Sequence, residues 1–300
     1  MKLICKAVLL GFFLVAAVSC SDSDQQPDPD FIPKNIKSSF SKLNSPIVLI
    51  DEAHNNFLTI NGRYKPFSQV LLSDGYTVNP SKEKFTLEYL KQANILVIAN
   101  ALDKKRHDWT PPFGDAFSNG EVEAVKQWVS QGGSLFLVAD HTPFPKVIEK
   151  LSAAFGFEFS HGHVRDALFR LDSNSLIENS ITKGASQSER ITQVKTFGGS
   201  AFQIPEGAQP LLILGKGAAS VVPEIPFQVN AKTPRVSMNG WYQGAVQEVG
   251  EGRVAVFSEG MAFSSQITVS TGKKYGLVSD GAEQNEQFLL NVMHWLSKLL

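Results

Sequence analysis

Between a Gly132-Gly133 pair and an Asp140-His141-Thr142-Pro143 stretch, Leu135-Phe136-Leu137-Val138-Ala139 is apolar at every position. A strand with one wet face alternates polar and apolar residues, so an unbroken apolar run bounded by turn residues predicts a central strand covered on both faces. Such a strand belongs to an α/β sheet, where ligands sit in the crevice outside the carboxyl ends of the strands. Asp140 and His141 therefore stand where chemistry is expected. Two further strands end in similar cargo. Ile47-Val48-Leu49-Ile50 runs into Asp51-Glu52-Ala53-His54-Asn55-Asn56, and Arg253-Val254-Ala255-Val256-Phe257 runs into Ser258-Glu259. The three ends are expected to converge on one polar pocket.

Around these strands the chain has a β-α-β rhythm. A helix is predicted over Phe67–Asp74, a short strand at Tyr76-Thr77-Val78, a helical turn at Leu87–Gln92 and a buried strand over Asn94–Asn100. Ser118 with Glu121 three residues on predicts a capping box, opening a helix that Gly132-Gly133 ends. A helix over Phe144–Phe155 and a last helix over about 282–299 complete the helical set. Between them, about 157–240, short β-prone pieces alternate with Gly, Ser and Asn turns and predict a β-rich insertion or extension of the sheet. Val246–Phe257 reads as a hairpin. The long loop at 101–117, with His107 and Trp109, is expected to be a lid or mobile surface.

The ends of the chain's charge and thiol inventory exclude some functions. With a formal net charge of -1 over 300 residues and no Lys/Arg run longer than Lys104-Lys105-Arg106, the chain has no electrostatic footprint for nucleic acid. Its two cysteines are Cys5 and Cys20. Lys2 and Lys6, the apolar stretch Ala7–Val18 and Ala17-Val18-Ser19-Cys20 resemble a bacterial lipoprotein signal, with Ala17 where that pattern prefers Leu. The resemblance implies cleavage between Ser19 and Cys20, acylation of Cys20 as the first residue of the mature chain, insertion of the lipid into a bilayer and a place in the bacterial cell envelope, periplasmic or outer-surface. An ordinary secretory peptide or a membrane anchor is the alternative. The mature domain would then hold no thiol for a disulfide, a thiolate metal site or a nucleophile. Residues 21–42, rich in Ser, Asp, Gln and Pro, read as a flexible tether, leaving 43–300 as a single α/β domain.

The Asp51–Asn56 strand end, the Gly-Gly-strand-Ala-Asp-His unit at 132–141 and the Gly252–Glu259 strand together resemble the class I glutamine amidotransferase-like superfamily. The likeness is closest to its exported or membrane-associated branch, which includes the gliding-motility GldG-type domains and the ThuA-like proteins. It covers most of 45–155 and 245–300. It implies a flavodoxin-like, mostly parallel sheet flanked by helices, with the β-rich insertion added. The departure decides the chemistry. At the elbow, where an amidotransferase carries its cysteine, this chain has Asp140-His141, and no His stands near Ser258-Glu259. Glutamine hydrolysis through a thioester is therefore excluded, because neither a carboxylate nor an imidazole replaces a thiolate in that step.

Asp140, His141 and Glu259 are the catalytic candidates, as general base, proton donor or ligand. Asp51, His54, Asp140 and His141 form a candidate set for a divalent transition metal, since mixed carboxylate and imidazole donors suit Zn, Mn or Fe. The alternative is that the acids cap turns and the histidines satisfy backbone groups. His54, Asn55, Asn56 and Tyr64 are candidates for holding a small-molecule or glycan substrate, although Asn-Asn is also ordinary turn chemistry. His161 and His163 alternate as on a strand and can share a ligand or simply lie exposed. Trp241-Tyr242-Gln243 suits either a sugar face or hairpin packing. Without a Gly-x-Ser-x-Gly elbow, Ser258 is not expected to be a nucleophile, and Gly215-Lys216-Gly217 lacks the spacing of a phosphate loop. His294 is expected to be structural. Two functions stay open: a metal-assisted or acid/base hydrolase, and a non-catalytic glycan- or protein-binding module of the envelope.

Overall fold

A computed structural model of the protein describes residues 24–106 and 108–300; the predicted signal with Cys20, and also His107, lie outside the described residues. Nine strands form the main sheet. In chain order they are β1 Ile47–Asp51, β2 Thr77–Ser81, β3 Ile95–Ala99, β4 Ser134–Val138, β5 Glu158–Phe159, β6 Phe202–Gln203, β7 Gln209–Ile213, β8 Tyr242–Val249 and β9 Gly252–Phe257. The order β2-β1-β3-β4-β9 is parallel throughout. Beyond β9 the sheet continues antiparallel through β8, β6 and β5, with β7 also paired to β8. The sheet is thus mixed, not mostly parallel as expected. A parallel neighbour needs a crossover of a dozen or more residues, whereas the β8–β9 hairpin and the short strands of 157–240 need only turns.

The parallel strands explain their unbroken apolar sequence. Along β4, Phe136 and Val138 enter one core layer and Leu135 and Leu137 the other. The first layer holds Phe67 of helix α1 (Lys65–Ser73) and Phe288 of helix α3 (Asn285–Leu296); the second holds Val125 and Trp128 of helix α2 (Asn119–Ser130). Helix α2 opens with the predicted capping box, Ser118 Oγ accepting from Glu121 N at 3.3 Å and Ser118 N donating to Glu121 Oε2 at 3.0 Å. The helix expected over Phe144–Phe155 divides at Ile148 into Phe144–Val147 and Glu149–Ala154. Among the described residues no helix is long and apolar enough to cross a membrane.

The tether expected at 21–42 is instead docked from residue 24 onward. Gln25–Pro27 pairs antiparallel with Ser265–Thr268. Asp28 is buried, taking Ser265 Oγ at 3.0 Å and Lys274 Nζ at 2.7 Å. Phe31 enters the core, and Glu286 Oε1 accepts the Lys34 and Asn35 amides at 2.6 and 3.0 Å. Composition suggested a solvated segment, but a backbone edge strand and one buried aromatic hold it without an apolar run. Phe31→Ala is expected to lower stability by about 3 kcal/mol, as for other buried aromatics. Urea unfolding measures this, and a loss below about 0.5 kcal/mol, the ordinary surface range, would mean that the segment is held only weakly.

Candidate functional site

Register brings the strand ends level. Ala99 and Phe257 both lie opposite Val138, so Asn100, Asp140 and Glu259 emerge side by side beyond β3, β4 and β9. Asn100 adopts φ +50° and is fully buried, a conformation asparagine tolerates better than most residues. From it the side-chain carbonyl accepts the Asp140 N–H at 2.9 Å and the amide donates to Asp140 Oδ2 at 2.7 Å. Asn100 was visible in the sequence as a strand end but carried no signal as a partner of Asp140.

The strand order reverses between β1 and β3, the place where such sheets usually bind ligands. Here the chain's own side chains fill it. His54 Nδ1 meets Asp51 Oδ1 and Oδ2 at 2.9 and 3.0 Å, and Nε2 meets Glu121 Oε1 at 2.8 Å. Carboxylates only accept, so both ring nitrogens donate and the imidazolium is the form that satisfies both. Burial works against that charge, but Asp51 and Glu121 outweigh it and raise the His54 pKa above its ordinary 6.5. Burial also opposes ionisation of Glu121, yet the Ser118 amide and hydroxyl and His54 bring it down to about 2. Asn56 is buried too, donating to Asp51 Oδ2 at 3.0 Å and accepting the His54 amide at 3.2 Å.

This geometry corrects two expectations. With both nitrogens engaged by carboxylates, His54 has no lone pair for a metal, so Asp51, His54, Asp140 and His141 do not form one ligand set. Among the described residues no group of three or more His, Cys, Asp or Glu side chains could hold a metal ion. His54, Asn56 and Tyr64, expected at a substrate pocket, are buried. Tyr64 is fully buried, stacked on Phe67 with ring centroids 4.7 Å apart and donating to the Gly260 carbonyl at 3.2 Å. Asn55 alone of that group is exposed, at φ +50°.

Asp140 and Glu259 are what remains. Glu259 is only 4% exposed, and its two oxygens accept the Met261 and Ala262 amides at 2.8 and 2.9 Å. Burial and the negative charge of Asp140 nevertheless push its pKa up to about 8. Burial raises Asp140 as well, against the pull of His141 and Asn100. The pair therefore holds a proton at neutral pH. Asp140 Oδ1 and Thr142 Oγ1 are buried with no hydrogen-bond partner, although most buried polar atoms find one. Gly199, at φ +91°, closes over Glu259: a Cβ there would lie 2.1 Å from the Ser258 carbonyl and 2.9 Å from Glu259 Cβ. Ser258 Oγ donates to the Ser200 carbonyl at 2.9 Å.

The outward side of the pair is aromatic. His141 donates from Nδ1 to the Thr142 carbonyl at 2.9 Å, which leaves Nε2 as the open ring nitrogen. Its ring centroid lies 5.3 Å from His163, 5.1 Å from Phe227 and 5.9 Å from Phe144. Trp109 stands 6.0 Å from Phe144 and 5.7 Å from Phe227. Phe227 is 58% exposed at φ +66°, a backbone region costly for a bulky residue. Within the loop carrying Trp109, expected to be a lid or mobile surface, Arg106 donates to both oxygens of Asp103 at 2.9 and 2.7 Å. Gln243 is buried and bonded to Thr196, Gly198 and Ser200, so Trp241-Tyr242-Gln243 includes core packing. His294 pairs with Asp74 at 2.7 Å, the expected structural role.

No protein-family model matches the chain, and no curated protein matches it. Among solved structures, the mmIFT52 N-terminal domain is similar over 83% of this chain and 97% of that one, with a TM-score of 0.58 at 17% identity. A putative ThuA-like protein from Bacteroides uniformis ATCC 8492 covers 86% of this chain and 94% of its own, at TM-score 0.48 and 14% identity. Cytoplasmic protein STM1381 from Salmonella typhimurium LT2 has TM-score 0.48 at 13% identity, over 83% and 98%. The chain is a mixed α/β protein with one large sheet and flanking helices, and it shares its fold with the first of these.

Proposed function

We propose that the protein is an exported lipoprotein, held at a bilayer of the bacterial cell envelope through Cys20, with an acid/base hydrolytic site. The flavodoxin-like, amidotransferase-related half of the sheet would carry that site at Asp140, Glu259 and His141. The observation that carries the reading is the Asp140–Glu259 pair, which burial forces to keep a proton while Asp140 Oδ1 stays without a partner. Groups with pKa values moved toward neutrality suit proton transfer near neutral pH. In this reading Asp140 takes a proton from the attacking water and returns it to the leaving group. Glu259, covered by Gly199, acts from behind by setting the charge of the pair. His141 Nε2 exchanges protons at the mouth, and Trp109 and Phe227 hold a small-molecule or glycan substrate.

A second reading, a non-catalytic glycan- or protein-binding module, draws support from the covering of Glu259 and the engagement of His54, Asn56 and Tyr64. A panel of chromogenic esters, amides and glycosides separates the two. The hydrolase reading expects turnover that Asp140→Asn and His141→Ala remove with the circular dichroism unchanged. Binding of a panel member without any turnover would favour the module.

A further inference from the structure

A cavity of about 630 Å³ lies away from the strand ends, in the β-rich region. Strand Ala219–Val221 pairs on one side with His163–Val164 and on the other with Arg235–Ser237, in a register that sets Arg235 opposite Val221 and Val164 opposite Ser220. This small sheet walls the cavity together with strand Ala167–Arg170 and the Gly215-Lys216-Gly217 turn. Three cations, Arg165, Lys216 and Arg235, line it with one anion, Asp166. None of the three cationic side chains has a hydrogen bond or ion pair to another described residue. Some cations elsewhere are paired, Arg106 with Asp103 and Lys274 with Asp28 and Asp30, while others such as Lys65, Lys104 and Lys126 are unpaired among the described residues like these three, so it is the gathering of three around one hollow that sets this place apart. Phe169 and Leu214 add an apolar part to the lining.

Like charges gathered around one hollow repel each other and stay only where the rest of the fold holds them. An anion placed among them relieves that repulsion and gains attraction from each. The volume falls within the range of small-ligand pockets, roughly 300–1,000 Å³. We infer that this cavity binds a small organic anion, with Arg165, Lys216 and Arg235 on its carboxylate or phosphate and Phe169 and Leu214 against its carbon skeleton. The site is separate from the Asp140 pair, so it stands or falls independently of the hydrolase reading.

Calorimetric titration of the full chain with galacturonate, glucose 6-phosphate and glucose tests it. At least one of the two anions is expected to bind more tightly than glucose, and the tighter of them distinguishes carboxylate from phosphate. Three exposed charge contacts together amount to about a tenfold change in Kd. Arg165→Gln/Lys216→Gln/Arg235→Gln should weaken binding by about that factor, added salt should weaken it further, and Asp166→Asn should tighten it. All four exchanges are at exposed side chains, so the fold is expected to persist. Absence of binding by both anions, glucose binding as tightly, or a triple variant with unchanged affinity would overturn the proposal.

Discussion

His54→Ala is expected to destabilise the protein by about 3–5 kcal/mol, because removing one member of a buried ion pair leaves its partners' charge uncompensated. Asp51 is 0% exposed and Glu121 5%, and without the imidazolium their carboxylates would share a dry space between Phe85 and Phe117, whose ring centroids lie 4.7 and 4.6 Å from His54. The same group ties the end of β1 to the start of α2, so the loss reaches two elements. The pH dependence has a definite sign. His54 is raised above 6.5, so its contribution is complete below 6.5 and fades as pH rises through the folded-state value. Glu121 is lowered from 4.5 to about 2, so its contribution is complete above 4.5 and is lost as pH falls toward 2. The variant's deficit should therefore be largest between about 4.5 and 6.5. Denaturant unfolding of parent and variant across that range checks it. A deficit under 1 kcal/mol, as for exposed ion pairs, would contradict a structural role for the cluster.

At the strand ends, Asp140→Asn is expected to cut turnover by about 10²–10⁴-fold, the usual worth of a positioned acid or base. The neutral amide keeps the shape and can still bond Asn100, so folding should be spared. Glu259→Gln should act differently, since Glu259 is covered and meets no substrate in this account. Glu259 is neutral until about pH 8, so glutamine matches its charge, at the cost of one of the two backbone amides it accepts, and the rate near neutrality should change little. The alkaline limb of the pH–rate profile, which the parent would show near 8, should move or vanish. Stability carries the matching sign. A carboxyl raised from 4.5 to about 8 contributes fully below 4.5, and that contribution is lost as pH rises through about 8. The stability difference between parent and Glu259→Gln should thus shift in the variant's favour as pH rises through about 8, over a constant cost for the one backbone amide that glutamine cannot accept. Equal loss of turnover in both variants at all pH values would make Glu259 a direct participant.

Much of this was legible in the residues. The apolar run Leu135–Ala139 announced a strand buried on both faces, and the β1 and β9 runs did the same, because burial on both sides leaves its mark on every position. Ser118 and Glu121 announced a helix start at their spacing. What stayed hidden was pairing across the chain. Glu121 caps its own helix and also meets His54, 67 positions away, and no local pattern encodes that second bond. The polar set Asp51-His54-Asn56 looked like a ligand site because a buried electrostatic cluster and a metal site use the same residue types. Only distances tell them apart. The antiparallel half was legible as a hairpin and as β-prone pieces, but not its pairing into the main sheet, because two-residue strands such as Glu158–Phe159 and Phe202–Gln203 carry almost no periodicity, and residues 24–31 were missed because a docked edge strand needs no apolar run. Asn100, Trp109 and Phe227 gain their place beside Asp140 and His141 from folding alone.

The central claim is that Asp140 and Glu259 keep a proton between them at neutral pH, and a carboxyl ¹³C NMR titration of the glutamate-labelled protein reads this directly. The Glu259 signal, assigned by its absence in Glu259→Gln, is expected to titrate near 8 and to move downward in Asp140→Asn as the neighbouring charge is removed. A Glu259 that titrates near the ordinary 4.5, with no response to Asp140→Asn, would mean two independent ionised carboxylates and would contradict the acid/base account.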